Sequence, residues 1–67
     1  EIGQGCVLKG KSSISQGAVL GSNCYLENAV INEHCILLGH NVVVDSFIKE
    51  REILDFGSKV IDEEDYD

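Results

Sequence analysis

The sequence predicts an all-β chain, a parallel β-helix of about three to four coils assembled from six-residue repeats. Three observations predict it. An aliphatic residue falls on every sixth position through Ile2, Leu8, Ile14, Leu20 and Leu26. A second column, four residues behind the first, holds only small side chains: Cys6, Ser12, Ala18 and Cys24. The third position after the aliphatic is Gly5, Gly17, Asn23, His34, Asn41 and Gly57 in six of the units. At about 100° per residue, a step of six turns each aliphatic by roughly 240° around a helix, so no helical face could bury the set. In an extended chain side chains alternate faces, and an even step returns every member of both columns to one face. Short strands bent at regular corners satisfy this pattern, each unit stacking on the next to share one core.

Three aliphatic corners per coil give the elements in order. The first coil holds Ile2, Leu8 and Ile14, and the second holds Leu20, Leu26 and Ile31. A third follows at Leu38, Val44 and Ile48, with the phase across residues 37–47 open by one residue, and a partial fourth at Leu54 and Val60. In this register the steps after Leu26 are five, seven, six and four residues. An odd step reverses the face unless a corner tightens or bulges, so looser corners are expected there. Cys35 falls in a small-residue slot, and Glu52 violates one. A carboxylate is expensive to bury, so the coil is expected to end or open at Glu52. The corner residues support the register, because Gly enters the left-handed backbone region freely and Asn, Asp and His are enriched among the others found there. Proline is absent, as strands paired on both sides require.

Composition bounds the rest. Sixty-seven residues suffice for one small domain, here residues 1–61, followed by an acidic tail over residues 62–67. That tail carries five of the twelve acids, which leaves the body at −2 of the total −7. It reads as solvating chain, and no role is assigned to it. The five basic residues form no run, so nucleic-acid binding is not expected. The longest apolar stretch, residues 36–44, is interrupted by Gly39-His40-Asn41 and is too short to span a bilayer. Three cysteines with no signal-like segment argue for a reducing, cytoplasmic setting. Cys6 and Cys24 would lie one strand spacing apart, about 4.8 Å, within reach of a disulfide. The small-residue column explains both without one, so all three are read as buried free thiols. The chain lacks an initiator Met and is in register from Ile2, which suggests a segment of a longer polypeptide whose open first coil is covered upstream.

The units Ile2-Gly3-Gln4-Gly5-Cys6-Val7 and Leu20-Gly21-Ser22-Asn23-Cys24-Tyr25 resemble the left-handed parallel β-helix of the hexapeptide-repeat superfamily. The left hand is implied by that resemblance alone. The five-residue step Leu26-Glu27-Asn28-Ala29-Val30, followed by Ile31, looks like a step common in C-terminal β-helices of sugar-1-phosphate nucleotidyltransferases. It also resembles the related subunits of the eukaryotic translation-initiation guanine-nucleotide exchange factor. Val44-Asp45-Ser46-Phe47-Ile48 reads as a shortened copy of it. The resemblance implies a non-catalytic assembly or regulatory domain, forming homo- or hetero-oligomers beside an upstream catalytic domain that binds nucleotide, sugar phosphate and a divalent metal. No cofactor is assigned to the present residues, and the outward positions Val7, Val19, Tyr25, Val30 and Ile36 are expected to serve partner contacts.

Other chemistry is weaker in the sequence. Acyltransferases of similar fold use a His general base at a coil surface near a neighbouring subunit, which offers His34 and His40 as an alternative catalytic reading. His34 occupies a corner slot, and His40 precedes the corner at Asn41. Their surroundings do not match the pattern associated with sugar acetyltransferases, and that family's long extruded loop is missing. The glycines follow the corner rhythm without forming a phosphate-cradling loop. Glu50 and Glu52 alternate with Lys49 and Arg51 as a solvated stretch. A zinc site would need His34, Cys35 and His40 to converge, yet Cys35 is expected to point inward and the histidines outward, so no metal is assigned.

Overall fold

The computed structural model describes residues 1–61, a parallel β-helix of about three coils. One face is a four-stranded sheet of β1 (Val7–Lys9), β4 (Tyr25–Glu27), β7 (Val42–Val44) and β10 (Lys59–Ile61). The second contains β2 (Ser13–Ile14), β5 (Val30–Ile31) and β8 (Phe47–Ile48). The third contains β3 (Val19–Leu20), β6 (Ile36–Leu37) and β9 (Ile53–Leu54), and Ile2 adds a parallel bridge to Leu20. Every strand pairing is parallel. Among the described residues no helix is long and apolar enough to cross a membrane. The acidic tail lies outside the described residues.

The core is the aliphatic ladder that the spacing predicts. Leu20, Leu26, Ile31, Leu37 and Val43 are all at most 1% exposed, and Ile48 and Leu54 continue the stack. Each buried aliphatic of this size contributes about 1.5–3 kcal/mol. Ala18, Cys24, Ala29 and Cys35 fill the spaces between the large side chains.

The structure corrects the register of the third coil by one residue at two corners. Leu20 pairs with Leu37 and Leu26 with Val43, so Leu38 and Val44 are not core residues. Leu38 is 51% exposed, whereas Leu37 is 1%. From Ile31 onward the core steps become six, six, five, six and six, and the expected steps of seven and four disappear. The five-residue step recurs in the same place in successive coils, from Leu26 to Ile31 and from Val43 to Ile48. Apolar runs on both sides of Gly39-His40-Asn41 hid this phase, because two candidate ladders both look aliphatic.

The expected end of the coil at Glu52 is also corrected. Its side chain is exposed, but its carbonyl accepts the Ile36 N–H at 2.9 Å and the chain continues through β9 and β10. Turning one side chain outward removes the burial cost without interrupting the ladder.

Candidate functional site

The corners place the chemically capable side chains, and their backbone explains which residues stand there. Left-handed φ values occur three residues after the core aliphatic at Gly5, Gly17, Asn23, His34, His40, Arg51 and Gly57. A second corner, after β1, β4 and β7, places Gly10, Asn28 and Asp45 in the same region. The three first-coil corners are all glycine, and the side chain one coil on leans back over each. A Cβ on Gly17 would stand 2.5 Å from His34 Nδ1 and 2.6 Å from Cε1. Asn23 and Asn28 similarly overlie Gly5 and Gly10.

His34 and His40 sit at opposite ends of β6, on two different corners, and the structure does not bring them together. His34 has φ 59°, is exposed, and lays its ring over Gly17. His40 has φ 53° and packs its ring against Phe56, with centroids 4.7 Å apart and planes tilted by 39°. Its Nε2 lies 3.4 Å from Asn23 Nδ2. His40, not Asn41, is thus the corner residue of its unit, which corrects the expected assignment.

Asn41 is instead fully buried in the inner column with Cys6, Cys24 and Ser58. Its amide Nδ2 donates to the carbonyls of Asp55 at 2.7 Å and Ser58 at 3.1 Å, and its Oδ1 accepts the Gly39 N–H at 2.9 Å. Cys24 Sγ also approaches that oxygen at 3.8 Å. Sequence reasoning missed this residue because Asn suits a left-handed corner equally well. The signal that finds it is the slot four residues after Leu37.

The cysteines obey the same local rule. Cys6 Sγ donates to the Gly21 carbonyl at 3.1 Å, and Cys35 Sγ donates to Lys49 at 2.7 Å. In each case, as with Asn41 and Asp55, the inner side chain reaches the carbonyl that follows the core aliphatic of the next coil. All three thiols are free; Cys24 and Cys35 are buried, and Cys6 is half-buried. Burial pushes the Cys24 thiol above its ordinary value. Cys35 points into the core while His34 and His40 face solvent, so these three do not converge. Among the described residues no group of three or more His, Cys, Asp or Glu side chains is placed to hold a metal ion.

On the outer surface, Ser15, Asn32, Glu33, Phe47, Lys49 and Glu50 line an open cleft of about 490 Å³ beside β5 and β8. Asn32 is fixed there by donating to the Ile48 carbonyl at 2.8 Å. Neither histidine lines this cleft. The β1–β4–β7–β10 face is more polar: Tyr25 donates to Glu27 at 2.9 Å, and Lys9 lies 5.9 Å from the Tyr25 ring centre. The Glu27 carboxylate holds the Tyr25 phenol above its ordinary value.

The other two faces carry outward apolar rows. Val19, Ile36 and Ile53 are stacked in register on β3, β6 and β9, and Val30 and Phe47 on β5 and β8. Ile53 and Phe47 are 59% and 64% exposed. Comparison of the chain with protein-family models, with curated proteins and with solved structures finds no match in any of the three.

Proposed function

We propose that this β-helix is an assembly or regulatory domain, itself non-catalytic, of a sugar-1-phosphate nucleotidyltransferase-like protein. The observation that carries the assembly role is the pair of outward apolar rows, Val19–Ile36–Ile53 and Val30–Phe47, on adjacent faces. Apolar side chains repeated at each coil form a contiguous surface suited to a protein partner. The link to nucleotidyltransferases rests on the five-residue step, which recurs at full length as Val43-Val44-Asp45-Ser46-Phe47 before Ile48. In this reading the upstream domain supplies nucleotide and divalent-metal chemistry, and the β-helix supplies contacts between subunits. The same step also fits an exchange-factor subunit, where the role would again be assembly.

The acyltransferase reading ranks behind because each histidine has a backbone reason for its place and neither lines the cleft. Replacing Ile36 and Ile53 by Lys in the parent protein tests the leading reading. Sedimentation velocity is expected to show a smaller assembly with nucleotidyl transfer retained per subunit; unchanged assembly would overturn it. Loss of an acyl-transfer activity on His34→Ala or His40→Ala would favour the alternative.

A further inference from the structure

Cys6 and Cys24 occupy successive levels of one inner column, immediately before the paired residues Val7 and Tyr25. The Val7 N–H donates to the Cys24 carbonyl at 2.9 Å, which fixes the two levels against each other. Both thiols approach the same acceptor, the Gly21 carbonyl oxygen, at 3.1 Å from Cys6 and 3.4 Å from Cys24. Neighbouring parallel strands lie about 4.8 Å apart, inside the Cα separation of about 4.4–6.8 Å that a disulfide spans. Cys35 has no such partner, because its column holds Ala18 one coil earlier and Glu52 one coil later.

We propose that Cys6 and Cys24 form an oxidative modification site, a thiol pair that a small-molecule disulfide converts into a covalent tie between the first and second coils. Cys6 is the point of attack, being the half-buried member of the pair while Cys24 is buried. The Cys6 thiol loses its proton and attacks one sulfur of the small disulfide; a mixed disulfide forms and the first small thiolate leaves, taking up that proton. Cys24 then loses its proton and attacks the Cys6 sulfur, and the second small thiolate leaves and is protonated in turn. Two protein thiols are oxidised and one small disulfide is reduced to two thiols. Burial holds the Cys24 proton more tightly than usual, so the second step quickens as pH rises. The tie closes a loop of one coil where the core is least covered, since Ile2 and Leu8 are 51% and 42% exposed.

The test is incubation of the 67-residue chain with excess oxidised glutathione, followed by alkylation, peptide mapping by mass spectrometry and a thermal melt. The expected product is a monomer lighter by two hydrogens, with a Cys6–Cys24 linked peptide and Cys35 alone alkylated. Its Tm is expected to lie several degrees above that of the reduced chain. Cys35→Ala should give the same product. Cys24→Ala, in a slot type that holds Ala elsewhere in the helix, should stop at the glutathione adduct on Cys6. A persistent adduct on the unsubstituted chain, a link involving Cys35 or a second chain, no reaction, or a Cys6–Cys24 link that lowers Tm would each overturn the proposal.

Discussion

Two inner columns of the same helix solve one problem differently. The column between the β3, β6, β9 face and the β4, β7, β10 face holds Cys6, Cys24, Asn41 and Ser58; the column between the second and third faces holds Ala18, Cys35 and Glu52. In the first, a buried amide donates to two corner carbonyls and accepts one N–H, and two thiols share a third carbonyl. In the second, only Cys35 donates to the corner carbonyl of the next coil, Ala18 cannot donate, and Glu52 turns out to solvent. The difference teaches that smallness is only half of what the slot selects. Each corner directs a carbonyl inward; the Asp55 and Lys49 carbonyls accept the Ser58 and Glu52 N–H groups at 3.1 and 3.2 Å, and the inner side chain donates to the second lone pair. A side chain that is small and also donates is therefore best placed there, and Asn does this with a stronger donor than a thiol.

The largest break of this contrast is Asn41→Asp. It keeps the shape but sets a carboxylate oxygen against the Asp55 and Ser58 carbonyls in a fully buried slot. A loss of more than about 3 kcal/mol is expected in urea unfolding, near the upper end of the cost of an unsatisfied buried polar group. Asn41→Ala removes the donors and leaves the buried Gly39 N–H without its acceptor, but adds no repulsion, and is expected to cost about 2 kcal/mol. If Asp were tolerated as well as Ala, the donor argument would fail. Cys35→Ala sharpens the comparison by giving its slot the composition of Ala18, with an expected loss of about 1 kcal/mol.

A smaller effect separates the columns by pH. Burial raises the Cys24 thiol above its ordinary 9.0, so the folded chain keeps this proton where the unfolded chain has lost it. Its contribution to stability is present in full below the unfolded value and lost as pH rises through the folded one. Unfolding followed across that alkaline range should show a fall in stability that Cys24→Ala reduces, the remainder including the raised Tyr25 phenol. The smallest expected effect is at Glu52→Ala, within about 0.5 kcal/mol, because the side chain already lies in solvent. A large change there would mean that the second column uses Glu52 in a way its exposure does not show.

The sequence disclosed the ladder where a small residue stands four places after the aliphatic and blurred it where that column lapses. Ile2, Leu8, Ile14, Leu20, Leu26 and Ile31 admit one phase, and the parallel pairings follow it. Leu37-Leu38 and Val42-Val43-Val44 admit more than one, and hydrophobicity alone cannot choose between them. Backbone conformation chooses: Gly39 and His40 both take positive φ, which leaves Asn41 for the inner slot. The corner role of His34 was legible because it falls three residues after an unambiguous core position. The cleft beside Phe47 was not, since Ser15, Asn32 and Lys49 come from three coils and meet only once the register is set.

The coils differ in length at one corner, and that difference amounts to an experiment already carried out by the chain. Val7 pairs with Tyr25 eighteen residues on, whereas Ser13 pairs with Val30 at seventeen, and seventeen holds thereafter. The additional residue lies between β1 and β2, where the Lys11 N–H is taken up by Asn28 Oδ1 at 3.0 Å and Ser12 Oγ accepts the Ala29 N–H at 3.3 Å. Strands on either side keep their partners, so length at this corner is uncoupled from pairing along the faces. For a protein engineer it marks the graft point of the scaffold, the edge along which a recognition loop could be inserted while three sheets hold their alignment.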